Sequence, residues 1–363
     1  MRVAMVDPSA FTPPYDHALC AALAQAGAEV DLYTSAFAYG EVPPPAGYRR
    51  HEAFYARARG PAGSATRRAT KLLSHGPDML ALRRRTATAD IVHFQWLAVP
   101  GLDARLLGDR PTVLTAHDLL PREPRPGQLR AQRGLYDRVN ALIVHSEYGR
   151  GQLVDRLGIA VDKVAVVHHG ALPVAAGAPL PPELADSDRP VVLFFGLLRP
   201  YKGIDTLLRA WRGIADAELW VVGRPMMDLR PLRAAAPAGV RFVDRFVADA
   251  EVGALFARAD LVVLPYARTE RFDQSGVLAT ALACATPAVV SDIGGFAEVA
   301  ATGAAALVAP GDPVALHAAL AELIADPARR ARMAQAAARA AAGPYSWAAA
   351  ARATLAVYER IRR

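Results

Sequence analysis

Twelve short apolar runs, most of them rich in β-branched residues, recur along the chain, and stretches of helical periodicity separate most of them. The first set comprises Val3–Val6, Val30–Tyr33, Ile91–Phe94, Thr112–Thr115, Ala141–Val144 and Val164–Val167. The second comprises Val191–Phe195, Glu218–Val222, Val240–Phe242, Leu261–Leu264, Ala288–Val290 and Ala305–Val308. Strands that alternate with helices pair as parallel neighbours, because a parallel pair needs a long crossover that a helix supplies. The pattern occurs twice, so the expected class is α/β with two Rossmann-like, doubly wound sheets. A length of 363 residues suits two such domains.

Between the sets, Leu172–Arg189 concentrates Pro, Gly and acidic residues without apolar periodicity, as an interdomain linker does. The expected division is 1–175 for the first domain, 176–343 for the second, and 344–363 for a helix that returns to the first. Open α/β sheets bind ligands beyond the carboxyl ends of their strands, so functional residues are expected at strand ends facing a central cleft.

Hydrophobic residues make up 53% and charged residues 21% of the chain, which excludes disordered and low-complexity classes. No apolar run approaches the roughly 18 residues of a membrane span, and the start, MRVAMVDPSAF, lacks a signal-peptide core, so a cytoplasmic location is expected. Cys20 and Cys284 stand alone, which supports neither a disulfide framework nor a thiolate zinc site. A net charge of +7 favours partners that carry phosphate. Part of it lies in residues 51–90, where Arg57, Arg59, Arg67, Arg68, Lys71 and Arg83–Arg85 interleave with Leu72, Leu73, Met79, Leu80 and Leu82. Such a stretch suits the inner face of a membrane, an anionic acceptor or a solvated helical face. It contains no nucleic-acid-binding module, so nucleic acid is not an expected partner.

The strongest chemical signal is FFGLLRPYKGIDTLLRAW, Phe194–Trp211. A buried strand ends at Gly196, a loop presents Arg199 and Lys202, and a helix begins after Gly203. Free backbone N–H groups and two cations in this order form a phosphate site. A second signal lies in ERFDQSGVLATALACATPAVVSDIGGFAE, where Ser275 caps a helix and Gly276 permits close backbone approach. Amides of Ser275, Gly276 and Val277 then oppose Arg199 and Lys202, which together suit a diphosphate. No GxxxxGK[ST] occurs and no GxGxxG follows the first strand, so kinase and dehydrogenase readings weaken.

Histidines cluster at the ends of first-domain strands: His93, His117, His145, and His168 with His169. They lack the carboxylates of a metal site, so no metal is expected. Tyr15 and His17, after the first strand, are candidate acceptor contacts together with His93 and His145.

These motifs resemble the retaining glycosyltransferase family 4, the glycosyltransferases group 1, which has the GT-B fold. The resemblance covers essentially the whole chain and is most specific in GLLRPYKG and in TALACATPAVVSDIGGFAE. It implies a metal-independent transfer of a sugar from a nucleotide diphosphate sugar to an acceptor hydroxyl, without a cofactor. By resemblance Arg199 and Lys202 hold the diphosphate beside Gly196, Gln274, Ser275, Gly276 and Val277, His117 touches the sugar, and Arg245 lies in the nucleotide region. The chain departs from the family's pair of glutamates, with Phe272 and Thr280 at those positions; Glu270 and Asp273 are the nearest carboxylates to take over the sugar hydroxyls. The resemblance leaves the acceptor open among a glycan, a lipid-linked saccharide and a natural product. A nucleotide-sugar epimerase or a non-catalytic nucleotide-sugar-binding subunit is the alternative on the same fold.

Overall fold

The computed structural model describes residues 1–38, 40–61, 63–97, 99–120, 126–175, 177–184, 187–269 and 273–362. These form two compact units, the first built from residues 1–170, Asp273 and 347–362, the second from 171–269 and 274–346. The chain changes unit at Gly170–Ala171, and the return at the C-terminus comes at Trp347.

The first unit holds a seven-stranded, wholly parallel sheet of β1 (Arg2–Asp7), β2 (Glu29–Thr34), β3 (Arg49–Glu52), β4 (Ile91–Phe94), β5 (Thr112–Thr115), β6 (Ala141–Val144) and β7 (Val164–Val166). Their order is β3-β2-β1-β4-β5-β6-β7. β3 is the strand that apolar patterning does not reveal. Its RRHE sequence is an edge: Arg49 binds Asp31 and Glu29 on β2's side, and His51 stacks on Tyr33 with ring centroids 4.9 Å apart. Charged side chains on a solvated edge satisfy themselves across the strand pair, so no buried face marks the sequence.

The helix Trp347–Arg362 belongs to this unit and packs on the helix Pro13–Gln25, with Ala350, Ala351, Val357 and Tyr358 in one core with Leu19, Cys20 and Leu23. Gly170 lets Trp347 approach: a Cβ there would stand 2.4 Å from the indole.

The second unit holds β8 (Val191–Phe195), β9 (Glu218–Val222), β10 (Val240–Val243), β11 (Leu261–Leu264), β12 (Ala288–Ser291) and β13 (Ala305–Val308) in the parallel order β10-β9-β8-β11-β12-β13. The winding direction reverses between β8 and β11, which is where doubly wound sheets place their ligands. Val192, Phe194, Leu207, Trp211 and Leu320 fill one face of this sheet. Among the described residues no helix is long and apolar enough to cross a membrane.

Gly203 fixes the loop after β8 to the end of β11. Its φ of +71° is left-handed, and a Cβ there would stand 2.0 Å from the carbonyl oxygen of Pro265. A side chain would have to push two strand ends apart. Gly203→Ala is therefore expected to cost about 2 kcal/mol or more and lower the thermal midpoint by roughly 5 °C. An unchanged melting curve would show that the loop is not pinned there.

Candidate active site

In the second unit, the short 3-10 turn Pro200–Lys202 follows β8 and turns Lys202 inward, so that only 6% of it is exposed. Its Nζ lies 5.3 Å from the ring centroid of Tyr266 and 3.5 Å from the carbonyl oxygen of Phe195. Gly196, at φ +107°, makes room for it, since a Cβ there would meet Nζ at 2.8 Å and Val277 at 3.4 Å. The Nε of Arg199 is buried and has no hydrogen-bond partner among the described residues. A buried donor left unmade costs roughly 1–3 kcal/mol, so it marks a place where an acceptor belongs.

The helix Gly276–Ala283 starts on the other side of the switch point, after Ser275 in extended conformation. Ser275 presents no side-chain cap to the helix; its Oγ lies 3.3 Å from the Tyr266 hydroxyl, and Thr280 Oγ1 donates to the Gly276 carbonyl. Tyr266 thus links the two expected parts of the phosphate site: its ring underlies Lys202 and its hydroxyl meets Ser275. Sequence inspection missed it, although its position directly beyond β11 was the available signal. Gln274 spends its amide nitrogen on the Gly295 carbonyl at 3.1 Å and its oxygen on the Ser275 N–H at 3.3 Å, so it braces the loop.

In the first unit, His117 follows β5 and stacks on Trp96 with ring centroids 5.0 Å apart and planes 15° off parallel. Both line a cavity of about 120 Å³ that Asp118 and Gln128 also border. Tyr15 packs edge-on against His117 and His169 and lies against His145 and Trp347. His17 sits apart, with its Nδ1 3.0 Å from the Tyr48 hydroxyl.

Comparison with known proteins gives two family matches: residues 15–171 match Glycosyltransferase Family 4, and residues 189–326 match Glycosyl transferases group 1. A D-inositol 3-phosphate glycosyltransferase of Kineococcus radiotolerans is 31% identical over 306 residues, which cover 73% of this chain and 68% of that protein. The chain belongs to glycosyltransferase family 4. Solved structures agree on the GT-B fold: sucrose-phosphate synthase from Thermosynechococcus elongatus superimposes with a TM-score of 0.74 at 19% identity, covering 99% of both chains. Anabaena HepE in complex with UDP and glucose superimposes at 0.72 and 19% identity, again over 99% of both.

Within this glycosyltransferase, four expected contacts have other partners. His93 is fully buried, its Nδ1 2.6 Å from the Tyr358 hydroxyl and its Nε2 2.8 Å from Thr115 Oγ1, so it is a satisfied core histidine and not an acceptor contact. Asp273 is also fully buried; it accepts from the His145 N–H at 2.6 Å and from the Ser146 hydroxyl, which removes it from the sugar. Arg245 is committed to Glu183 at 2.9 Å and Glu251 at 2.7 Å, and these carboxylates hold its pKa above the usual range. His145 is 1% exposed and reaches His117 instead of solvent. Glu270 lies outside the described residues. Among the described residues no three His, Cys, Asp or Glu side chains group as a metal site would require.

The His145 contacts set the protonation of His117. His145 Nδ1 is 2.9 Å from the Val167 carbonyl oxygen, which only accepts, so that nitrogen carries the proton. Its bare Nε2 accepts from His117 Nδ1–H across 3.1 Å. His117 Nε2 faces the Gln95 side-chain amide at 3.0 Å, so both of its ring nitrogens are engaged inside the fold. Burial and the neighbouring His145 hold the His117 pKa well below the usual histidine range. Burial likewise depresses His93 and His145 to about 3 and His169 to about 4.

These shifts fix a sign. Each ring is neutral in the folded protein but takes a proton near pH 6.5 when unfolded, so the unfolded state binds more protons below that pH and stability falls as pH drops. Stability present above pH 6.5 is lost progressively down to about pH 3–4, with a limiting slope of about 1.4 kcal/mol per pH unit for each ring. Denaturant unfolding between pH 7 and 4.5 is expected to show that loss; a flat profile would mean that the rings are charged or exposed.

Proposed function

We propose that the protein is a metal-independent, retaining glycosyltransferase that moves a sugar from a nucleotide diphosphate sugar to an acceptor hydroxyl. The observation that carries this reading is the cation pair at the carboxyl end of β8: Lys202, only 6% exposed, and an Arg199 Nε buried without an acceptor among the described residues. The amides at the start of Gly276–Ala283, and the backbone opened by Gly196, complete a diphosphate cradle.

Breaking the bond from the sugar carbon to the phosphate oxygen leaves negative charge on the diphosphate. Fixed cations bind that charge more strongly than they bind the intact donor, which lowers the barrier without a metal. In the retaining step the acceptor oxygen bonds to the same face of the sugar carbon that the phosphate leaves. The hydroxyl proton passes to the departing phosphate oxygen, and a nucleoside diphosphate is released. Neutral His117, stacked on Trp96 with its ring nitrogens engaged by Gln95 and His145, is assigned to line the sugar site.

A thermal-shift panel of UDP, GDP, ADP and their glucose conjugates identifies the donor base, since a ligand that binds only the folded state raises the melting temperature. With that donor, Lys202→Ala is expected to lower turnover about 10²–10³-fold while the protein without ligand still melts cooperatively. Near-normal turnover would overturn the diphosphate assignment. Loss of activity in EDTA would overturn metal independence, and a product with the opposite anomeric configuration by NMR would overturn retention.

A further inference from the structure

Asp7, the last residue of β1, and Asp16, in the first turn of the helix Pro13–Gln25, are both buried, and their side chains hydrogen-bond each other. Two carboxylates cannot both stay charged in one dry site, so a proton lies between them. The surroundings locate it. Asp7 accepts backbone N–H groups from Phe11 at 2.6 Å, Ser9 at 3.2 Å and Thr12 at 3.3 Å, which favours its ionised form. Asp16 lacks such donors among the described residues, and its Oδ1 is buried there without a partner. Burial first, and the Asp7 charge second, hold the Asp16 carboxyl well above the usual carboxylate range, so the proton belongs to Asp16. At neutral pH that proton works against stability. A carboxyl that is protonated in the fold and ionised in the unfolded chain weakens folding as pH rises above about 4.

The pair holds the loop between β1 and the helix. Thr12 stands at the N-cap, yet its hydroxyl caps nothing: it accepts from Trp96 Nε1 at 3.0 Å and hydrogen-bonds Asp16. Phe11, whose N–H is bound by Asp7, packs edge-on against Trp96 with ring centroids 5.3 Å apart and remains 58% exposed. Trp96 in turn stacks on His117. Asp7 and Asp16 thus anchor one end of a row of three rings, Phe11, Trp96 and His117, beyond the carboxyl ends of β1, β4 and β5. The exposed ring at the end of the row offers an apolar face to a ligand.

We propose that the Asp7–Asp16 pair positions this row, and that the acceptor is a hydroxyl compound with a flat apolar face, which it lays on Phe11 and Trp96. The proposal rests on the transfer chemistry above. Neither aspartate touches substrate; both act through Thr12 and the Phe11 amide.

The titratable groups that face the pair are Tyr15 and Cys20 on the same helix, Tyr48 and Tyr55 on either side of β3, and Lys71 on the helix Ala65–Arg85. Burial raises the first four, Tyr48 and Tyr55 to about 12, and lowers Lys71. Asp16→Asn removes the titration of the pair and leaves theirs in place. In protein labelled with 15N-tryptophan, the Trp96 indole N–H, assigned by its loss in Trp96→Phe, reads the row without activity. It is expected to move between about pH 5.5 and 9 in the wild type, to hold its position in Asp16→Asn, and to be displaced throughout in Asp16→Ala. Asp16→Asn is also expected to melt higher than the wild type at about pH 8, because an amide donates to Asp7 with no proton to lose. With the donor found by thermal shift and p-nitrophenyl glucoside as acceptor probe, Asp16→Ala and Phe11→Ser should each raise the acceptor KM about tenfold and leave the donor KM within about twofold. Asp16→Asn should restore the acceptor KM. An indole resonance that ignores both pH and Asp16→Ala overturns the positioning role. An unmoved acceptor KM in Phe11→Ser, with transfer intact, overturns the acceptor platform. Absence of any donor turnover by the wild type overturns the glycosyltransferase reading instead, and the indole resonance still decides the pair.

Discussion

A lysine ammonium held almost out of water at the carboxyl end of β8 is the constraint on which the second unit's organisation depends. A buried charge is costly unless the surroundings compensate for it, and here the compensation comes from several directions at once. Gly196 yields the space, the Phe195 carbonyl lies within 3.5 Å, and the Tyr266 ring offers its negative face. Gly203 then locks the loop to the end of β11, and Tyr266 extends the arrangement to Ser275 at the start of the next helix. The strand-order reversal between β8 and β11 is what brings these segments together.

The first unit solves the opposite problem. Its histidines are kept uncharged by burial, and a run of hydrogen bonds that starts at the Val167 carbonyl fixes which ring nitrogens carry protons. The second unit thus holds a nearly buried lysine, and the first holds neutral imidazole rings.

The two doubly wound sheets were legible in the sequence because strand and helix periodicities are local and buried parallel strands read as short apolar runs. β3 was not legible, since its Arg49 and His51 side chains pair with Glu29, Asp31 and Tyr33 of β2 at a solvated edge. In the loop after β8, Arg199, Lys202 and the glycines were legible because a strand, a glycine, two cations and a helix start lie within one continuous segment. His93, Asp273 and Arg245 stood at equally suggestive strand ends or loops, yet each has an internal partner. The distant partners are Tyr358 for His93, Ser146 and the His145 amide for Asp273, and Glu183 for Arg245, which also pairs with the nearby Glu251.

Those partners are separated from the groups they satisfy by 265, 127, 128 and 62 residues respectively. No local spacing encodes such a pairing. The sequence by itself determined two parallel α/β units and a family, because each is written in contiguous residues. Only the tertiary structure decided which polar groups remain for a substrate and which are consumed inside the fold, because a hydrogen bond is satisfied by whatever lies next to it in space.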